Sequence, residues 1–371
     1  MKSHLLTLRD LYRQEHDLDD TEFQTCFIDI LPNNWTVCSL KFDPDTQTLY
    51  ICQYRTKEVP FVVKLPLNRE KQSSGERTPL LLEHAQNELK DIIQLSDETI
   101  HNNKQKELNK KAVEEWWSSR IQLDNRLKNL LEQMENTWIG GFKGLFCGRY
   151  KQCDKSFKIF QQSVKTIFTN ALFGTKVTTT MNKNKRTLDI NDRILHMILH
   201  LGLNPSHNEI DDIVHFILNS YENQDIHNNH SQTIIEKIRH QLHCAIKTYH
   251  DQSLLAGTNT MEPLPNEHLI LIPDQHTQMF PLESMPILRN QAVSRLPCMS
   301  FLRDRIIYGQ YCQQKLNNNQ ADLSTTEDTM EYVEEDWTDI KIDASKAYYI
   351  LNPSGDLKYT QAAFEELFNR Y

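Results

Sequence analysis

The chain has 371 residues, 39% of them hydrophobic and 25% charged, which fits a soluble globular protein of two domains, or one domain with a large insertion, and excludes a disordered one. A formal net charge of -9 supplies no global field to recruit nucleic acid, and no apolar run is long enough to span a bilayer. The 8 cysteines are scattered without a C-x-x-C spacing, as expected of reduced thiols in a protein of the cytoplasm or nucleus.

The opening "MKSHLLTLRDLYRQEHDLDD" is acidic and lacks the apolar centre of a signal peptide. Three strand-like runs follow: Trp35–Asp43, Thr48–Arg55 and Pro60–Leu67, rich in β-branched and aromatic residues. Asp43-Pro44-Asp45 suits the turn between the first two, so the three form a small antiparallel unit. After the polar loop "NREKQSSGERTP", no Pro or Gly occurs from Leu80 to about Trp138. There Val113, Trp117, Leu127, Leu131, Met134 and Trp138 recur at helical steps, predicting a long amphipathic helix or a hairpin of two that breaks near Ser96–Asn103. Arg120 and Asp124 interrupt the seam, which favours packing within the chain over a coiled coil.

Ser156–Gly174 presents Phe157, Phe160, Val164, Ile167, Phe168 and Ala171 on one helical face, with Gly174 as its stop. A basic loop, "TKVTTTMNKNKRT", leads to helices over Asn191–Leu203, Glu209–Tyr221 and Gln232–Tyr249, with Ser206 an N-cap for the second. "HLILIP" (His268–Pro273) reads as a strand buried on both faces, as in a parallel or mixed sheet covered by helices. Gln313–Asp343 reads as an acidic linker with little to bury. Finally, "AYYILNPSGDLKYTQAAFEELFNRY" predicts a buried strand, an Asn-Pro-Ser-Gly turn and a helix carrying Phe364, Leu367 and Phe368: one strand and one helix, too little to enclose a core.

Several side chains invite chemistry. His276 follows the "HLILIP" strand and Cys298 precedes a helix starting near Met299, so the two suggest a thiol–imidazole pair; the plainer reading is a turn histidine and a packed cysteine. His196 and His200, and the group His240, His243 and Cys244, have helical spacing for metal ligands. Met197 stands where a zinc-protease helix needs Glu, and helix-surface histidines explain both groups, so no metal and no cofactor are expected. Trp116-Trp117 reads as packing mass, and Lys183–Arg186 as a solvated loop able to meet an acidic partner.

Three stretches carry a family resemblance. "WWSSRIQLDNRLKNLLEQMENTWIGGFKGLF" (Trp116–Phe146) has a paired-Trp helix and a Met-Glu-Asn-x-Trp-x-Gly segment. "LILIPDQHTQMFPLESMPILRNQAVSRLP" (Leu269–Pro297) carries a Glu-Ser-Met-Pro signature and a Ser-Arg-Leu-Pro tail, and "AYYILNPSGDLKYTQAAFEELF" (Ala347–Phe368) reads as the entry to a further domain. Together they resemble the C-terminal region of separase, the caspase-like cysteine endopeptidase family that opens cohesin rings at anaphase. Leu282 stands where the family has Trp and Cys298 where it has Ser, and the family does not use the second position for catalysis.

The resemblance implies an α/β fold with a large helical part. Residues 1–312 would be a non-catalytic, caspase-like domain with strands at about 35–67 and 268–273 and a helical insertion at about 78–250. Residues 313–343 would be a flexible linker, and 344–371 the first strand and helix of a second caspase-like domain. The family's catalytic His and Cys lie in Gly-His-Gly and Gly-Cys-Ser motifs that these 371 residues do not contain, so no catalytic residue transfers and the chain alone is expected to be inactive. The implied role is to brace the protease domain and face a securin-like inhibitor and the cohesin kleisin substrate, with no direct nucleic-acid or membrane partner. Glu283, Pro286, Arg295 and Pro297 are the structural signature, and Glu283 is expected to pair with Arg295 across the return of the chain. The alternative is a non-enzymatic scaffold that docks securin or substrate; coding sequence beyond Tyr371 would separate the two.

Overall fold

The computed structural model describes residues 9, 18–67, 80–102, 110–173, 188–222, 232–260, 262–321 and 351–368 apart from 353, 354 and 356. They fall in two compact units, divided at Asn318. The basic loop Lys183–Arg186, the strand expected at the start of "AYYILNP" and most of the acidic segment lie outside the described residues.

In the first unit a short helix, α1 (Asp20–Phe23), opens with a capping box: Glu22 N–H donates to Asp19, and Asp19 N–H donates to Glu22. It runs through a π-helical turn into β1 (Trp35–Asp43), β2 (Thr48–Tyr54) and β3 (Phe61–Pro66), the three expected strands. The β1–β2 turn is tied by Asp43, which accepts from the Asp45 N–H at 3.1 Å and the Thr46 hydroxyl at 2.7 Å. The sheet is completed by β4 (His268–Pro273) and β5 (Ala292–Arg295) in the order β3-β2-β1-β4-β5. β1, β2 and β3 pair antiparallel, whereas β4 lies parallel to both β1 and β5. Leu269 and Leu271 enter one apolar cluster, and Ile270 and Ile272 a second with Leu302 and Ile306. β4 is therefore covered on both faces, which is why its sequence shows a continuous apolar run.

Between β3 and β4 the described residues are mostly helical: α2 (Leu82–Asn102), α3 (Lys110–Met134), α4 (Asp154–Phe173), α5 (Asp192–Leu199), α6 (His207–Glu222) and α7 (Gln232–Leu255). Phe157, Phe160, Val164 and Phe168 of α4 are buried as the pattern predicts. α2 and α3 form the expected hairpin, and Arg120, which breaks a coiled-coil seam, donates to Ser96 Oγ at 2.6 Å across it. The predicted α3 face is only half covered. Leu131, Met134 and Trp138 are buried, but Trp117 is exposed.

A Gly-rich 3-10 segment, Gly140–Phe146, threads under α5 and α6. A Cβ at Gly141 would stand 2.2 Å from the Glu209 carbonyl, and one at Gly144 2.6 Å from that of Met197, so the close approach demands glycine at both. Ser206 and Glu209 cap α6 reciprocally, as Ser206 predicts. α8 (Met299–Ala321) then covers the second face of the sheet through Leu302 and Ile306. It continues to Ala321.

In the second unit, Asn352 and Gly355 take positive φ at the expected turn, and α9 (Lys358–Phe368) follows. Asn352 accepts from the Leu357 N–H at 3.0 Å and donates to Gln361 at 2.9 Å, fixing the helix start. Phe364, Leu367 and Phe368 are exposed on this helix.

Candidate functional site

The crossover from β4 to β5, residues 274–291, is tied to the sheet and to the helices by several side chains. Asp274 anchors its start. One carboxylate oxygen accepts from the N–H groups of His276 at 3.1 Å and Thr277 at 2.9 Å and from the Thr277 hydroxyl at 2.8 Å. The other reaches back to the Phe42 N–H at 2.8 Å, holding the loop to the end of β1. A 3-10 turn, Leu282–Ser284, follows. Pro281 stands just before it, and Met285 is extended because Pro286 follows it.

Arg295 gathers this loop from β5. Its Nε and Nη2 donate to the two Glu283 carboxylate oxygens at 2.7 and 2.6 Å, forming the two-pronged pair that a guanidinium and a carboxylate favour. Nη1 and Nη2 also donate to the carbonyls of Gln278 and Phe280. One side chain thus satisfies four acceptors at a point where the backbone has no strand partner. Leu282 is buried in the core.

The first and second resemblance-bearing stretches meet here. Glu135 accepts from the Ile287 N–H at 2.8 Å, the Trp138 ring packs edge-on against Phe280 at 5.4 Å, and Gln291 donates to the Phe146 carbonyl at 2.9 Å. Burial holds the Glu135 carboxyl above its ordinary pKa despite the bond from Ile287. Glu135 and Gln291 were missed in the sequence, since each is a polar residue with a partner in a distant segment; Asp274 was missed as well. Asp274, directly after a strand and three residues before Thr277, carried a readable turn signal.

The suspected chemical groups fall elsewhere. The His276 ring contacts Phe42 and Gln275, whereas Cys298 is exposed at the start of α8, and among the described residues the two make no contact. His196 stacks on Phe157 at 4.6 Å, and His200 lies 4.7 Å from the Tyr150 ring. These two line an inner wall rather than the outer surface of a helix, and desolvation lowers both pKa values, that of His200 to about 3. His240 is exposed, with Cys244 at 3.8 Å. Among the described residues no group of three His, Cys, Asp or Glu side chains is placed to hold a metal. Trp116 and Trp117 pack edge to face at 4.8 Å, and Trp116 donates to the Thr99 carbonyl across the hairpin.

These observations define an α/β protein, mostly helical, built on a mixed sheet whose parallel crossover is locked by an Arg–Glu pair. Residues 44–371 match the family described as "Separin, protease domain", and the chain belongs to that family. It is 30% identical over 349 residues to the separin of Emericella nidulans and 29% identical over 367 residues to that of Schizosaccharomyces pombe. Those alignments cover 93% and 98% of this chain but only 15% and 18% of the relatives, so the chain spans under a fifth of their length. The fold matches a crystal structure of the Saccharomyces cerevisiae separase-securin complex, with a TM-score of 0.62 at 20% identity over 78% of this chain and 18% of that one.

Proposed function

We propose that this chain is the supporting part of a separase-type cysteine endopeptidase. In this reading residues 1–312 are a caspase-like domain without catalytic residues, carrying the helical insertion; 313–343 join it to the protease domain, which begins at 344–371. The observation that carries the reading is the meeting of the two family-like stretches in one crossover, through Glu135, Trp138 and Gln291. Such a tied loop suits a rigid frame, because a catalytic partner domain needs its reacting groups held to within fractions of an ångström.

In the complete protein, a thiol activated by an imidazole base would attack the peptide bond after an arginine of the cohesin kleisin subunit, with backbone amides holding the oxyanion. That cut releases sister chromatids in mitosis. The frame described here would face the kleisin and a securin-like inhibitor, in the cytoplasm and nucleus, without contacting nucleic acid. Glu283, Pro286, Arg295 and Pro297 serve structure, not chemistry. The test is cleavage of an arginine-containing kleisin peptide by the full-length gene product and by this segment alone. Cleavage by the first only is expected; cleavage by the segment that Cys298→Ser abolishes would overturn the proposal. Securin binding without cleavage by the full-length product would favour the scaffold instead.

A further inference from the structure

A cavity of about 410 Å³ opens between the end of β2, residues 149–152, α5 and α7, and Arg55, Arg149 and Arg193 all line it. Its volume lies in the range of sites for small ligands. Arg55 is only 9% exposed and donates to the Thr36 hydroxyl and the Cys147 carbonyl, both at 3.2 Å, with no carboxylate bonded to it among the described residues. Arg193 gives Nη2 to Glu58, while its Nη1 is buried without a partner. Arg149 is the least satisfied: Nε and Nη2 are both buried and unpartnered.

Arg149 and Arg193 both lie near enough to Arg55 for their charges to act on it. Burial lowers the Arg55 pKa most; Glu58 opposes this, and the charges of Arg149 and Arg193 add to it. Two acids, Glu58 and Asp192, share the cavity wall with the three arginines and Lys151, which leaves the cations in excess. Glu58 holds Arg193, Asp192 accepts from Gln161 at 2.7 Å, and Glu267 takes the backbone N–H of Arg149 at 2.9 Å. Lys151, also in the wall, is paired with Glu262.

A buried guanidinium N–H left unbonded is costly, so folded proteins satisfy such groups with a protein group, an ordered water or an ion. Three guanidiniums around one cavity match the several oxygens of a phosphoryl group, which accepts from the planar fork in pairs. We propose that this cavity binds a phosphoryl anion through Arg55, Arg149 and Arg193. The group would enter either on a small free compound or on a phosphorylated side chain, since both present the same oxygens. None of these residues belongs to the β4–β5 crossover, so the site does not depend on the proposed protease role.

The test is isothermal titration of this chain at physiological salt with inorganic pyrophosphate, with a phosphoserine peptide and with the same peptide unphosphorylated. Saturable binding by at least one phosphoryl probe is expected, weakened about tenfold or more by Arg149→Gln or Arg193→Gln. Arg126→Gln, which removes a half-buried cation on α3 that is paired with Glu88 and lies outside the cavity, should leave it unchanged. Binding by pyrophosphate alone would identify a free compound as the source, and binding by the phosphopeptide alone a modified side chain. Circular dichroism verifies each variant's fold, and two independent arginine variants guard against one failing to fold. Saturation by neither probe, as for a cavity holding only water, would overturn the proposal; so would equal weakening by Arg126→Gln.

Discussion

Arg295 makes two kinds of bond, and they separate on mutation. The pair with Glu283 is partly solvated, its side chains 27% and 37% exposed, so Glu283→Ala is expected to cost only about 1 kcal/mol. Arg295→Ala also removes the guanidinium donors from the Gln278 and Phe280 carbonyls, the second of which keeps the Leu282 N–H at 2.9 Å, and should cost about 2 kcal/mol. Urea unfolding of the two variants checks the order. The Glu283–Arg295 contact was legible because both residues flank a strand that the hydrophobic run had already placed. The bonds to Gln278 and Phe280 were not, since backbone acceptors leave no mark on composition. A second residue-scale expectation concerns His200. Its folded pKa lies near 3, below the ordinary 6.5, so the unfolded chain binds the proton more readily. Its contribution to stability is complete above about pH 6.5 and is lost as pH falls towards 3; His196 and His250, also lowered, act in the same sense. The unfolding free energy should therefore fall between pH 7 and 5, and His200→Gln should flatten that fall.

At the scale of elements, helix pairs are held by charges whose worth depends on their depth. Arg239 of α7 grips Asp211 of α6 at 2.6 and 2.7 Å, with the Asp211 side chain 4% exposed. Removing that carboxylate strands a buried cation, so Asp211→Ala is expected to cost about 3–5 kcal/mol. Arg126 and Glu88, which join α2 to α3 with the same two-pronged geometry, are over a third exposed, and Glu88→Ala should cost less than about 1 kcal/mol. Chemical denaturation distinguishes the two. Periodicity found every one of these helices but could not rank their faces. Phe157 and Trp117 occupy equally regular apolar positions, yet only Phe157 is buried, because burial depends on what the rest of the chain brings opposite. The same blindness hid the arginine cavity, whose members lie far apart in sequence and carry no shared pattern.

Across the whole molecule, the central pairing of the sheet joins distant parts of the chain: Phe42 and Asp274, bonded directly, are 232 positions apart. On the ribosome, at roughly 5–20 residues per second, β1 would wait about 10–50 s for β4. Through that interval the edge of the nascent meander is an open template for any other extended segment. Chains arrested before residue 268 are therefore expected to pellet or to be retained by chaperones, whereas chains arrested beyond α8 should be released soluble; sedimentation of stalled complexes reads the difference. The birth of this protein is thus its most vulnerable moment, and synthesis speed through the helices between β3 and β4 sets how long the risk lasts.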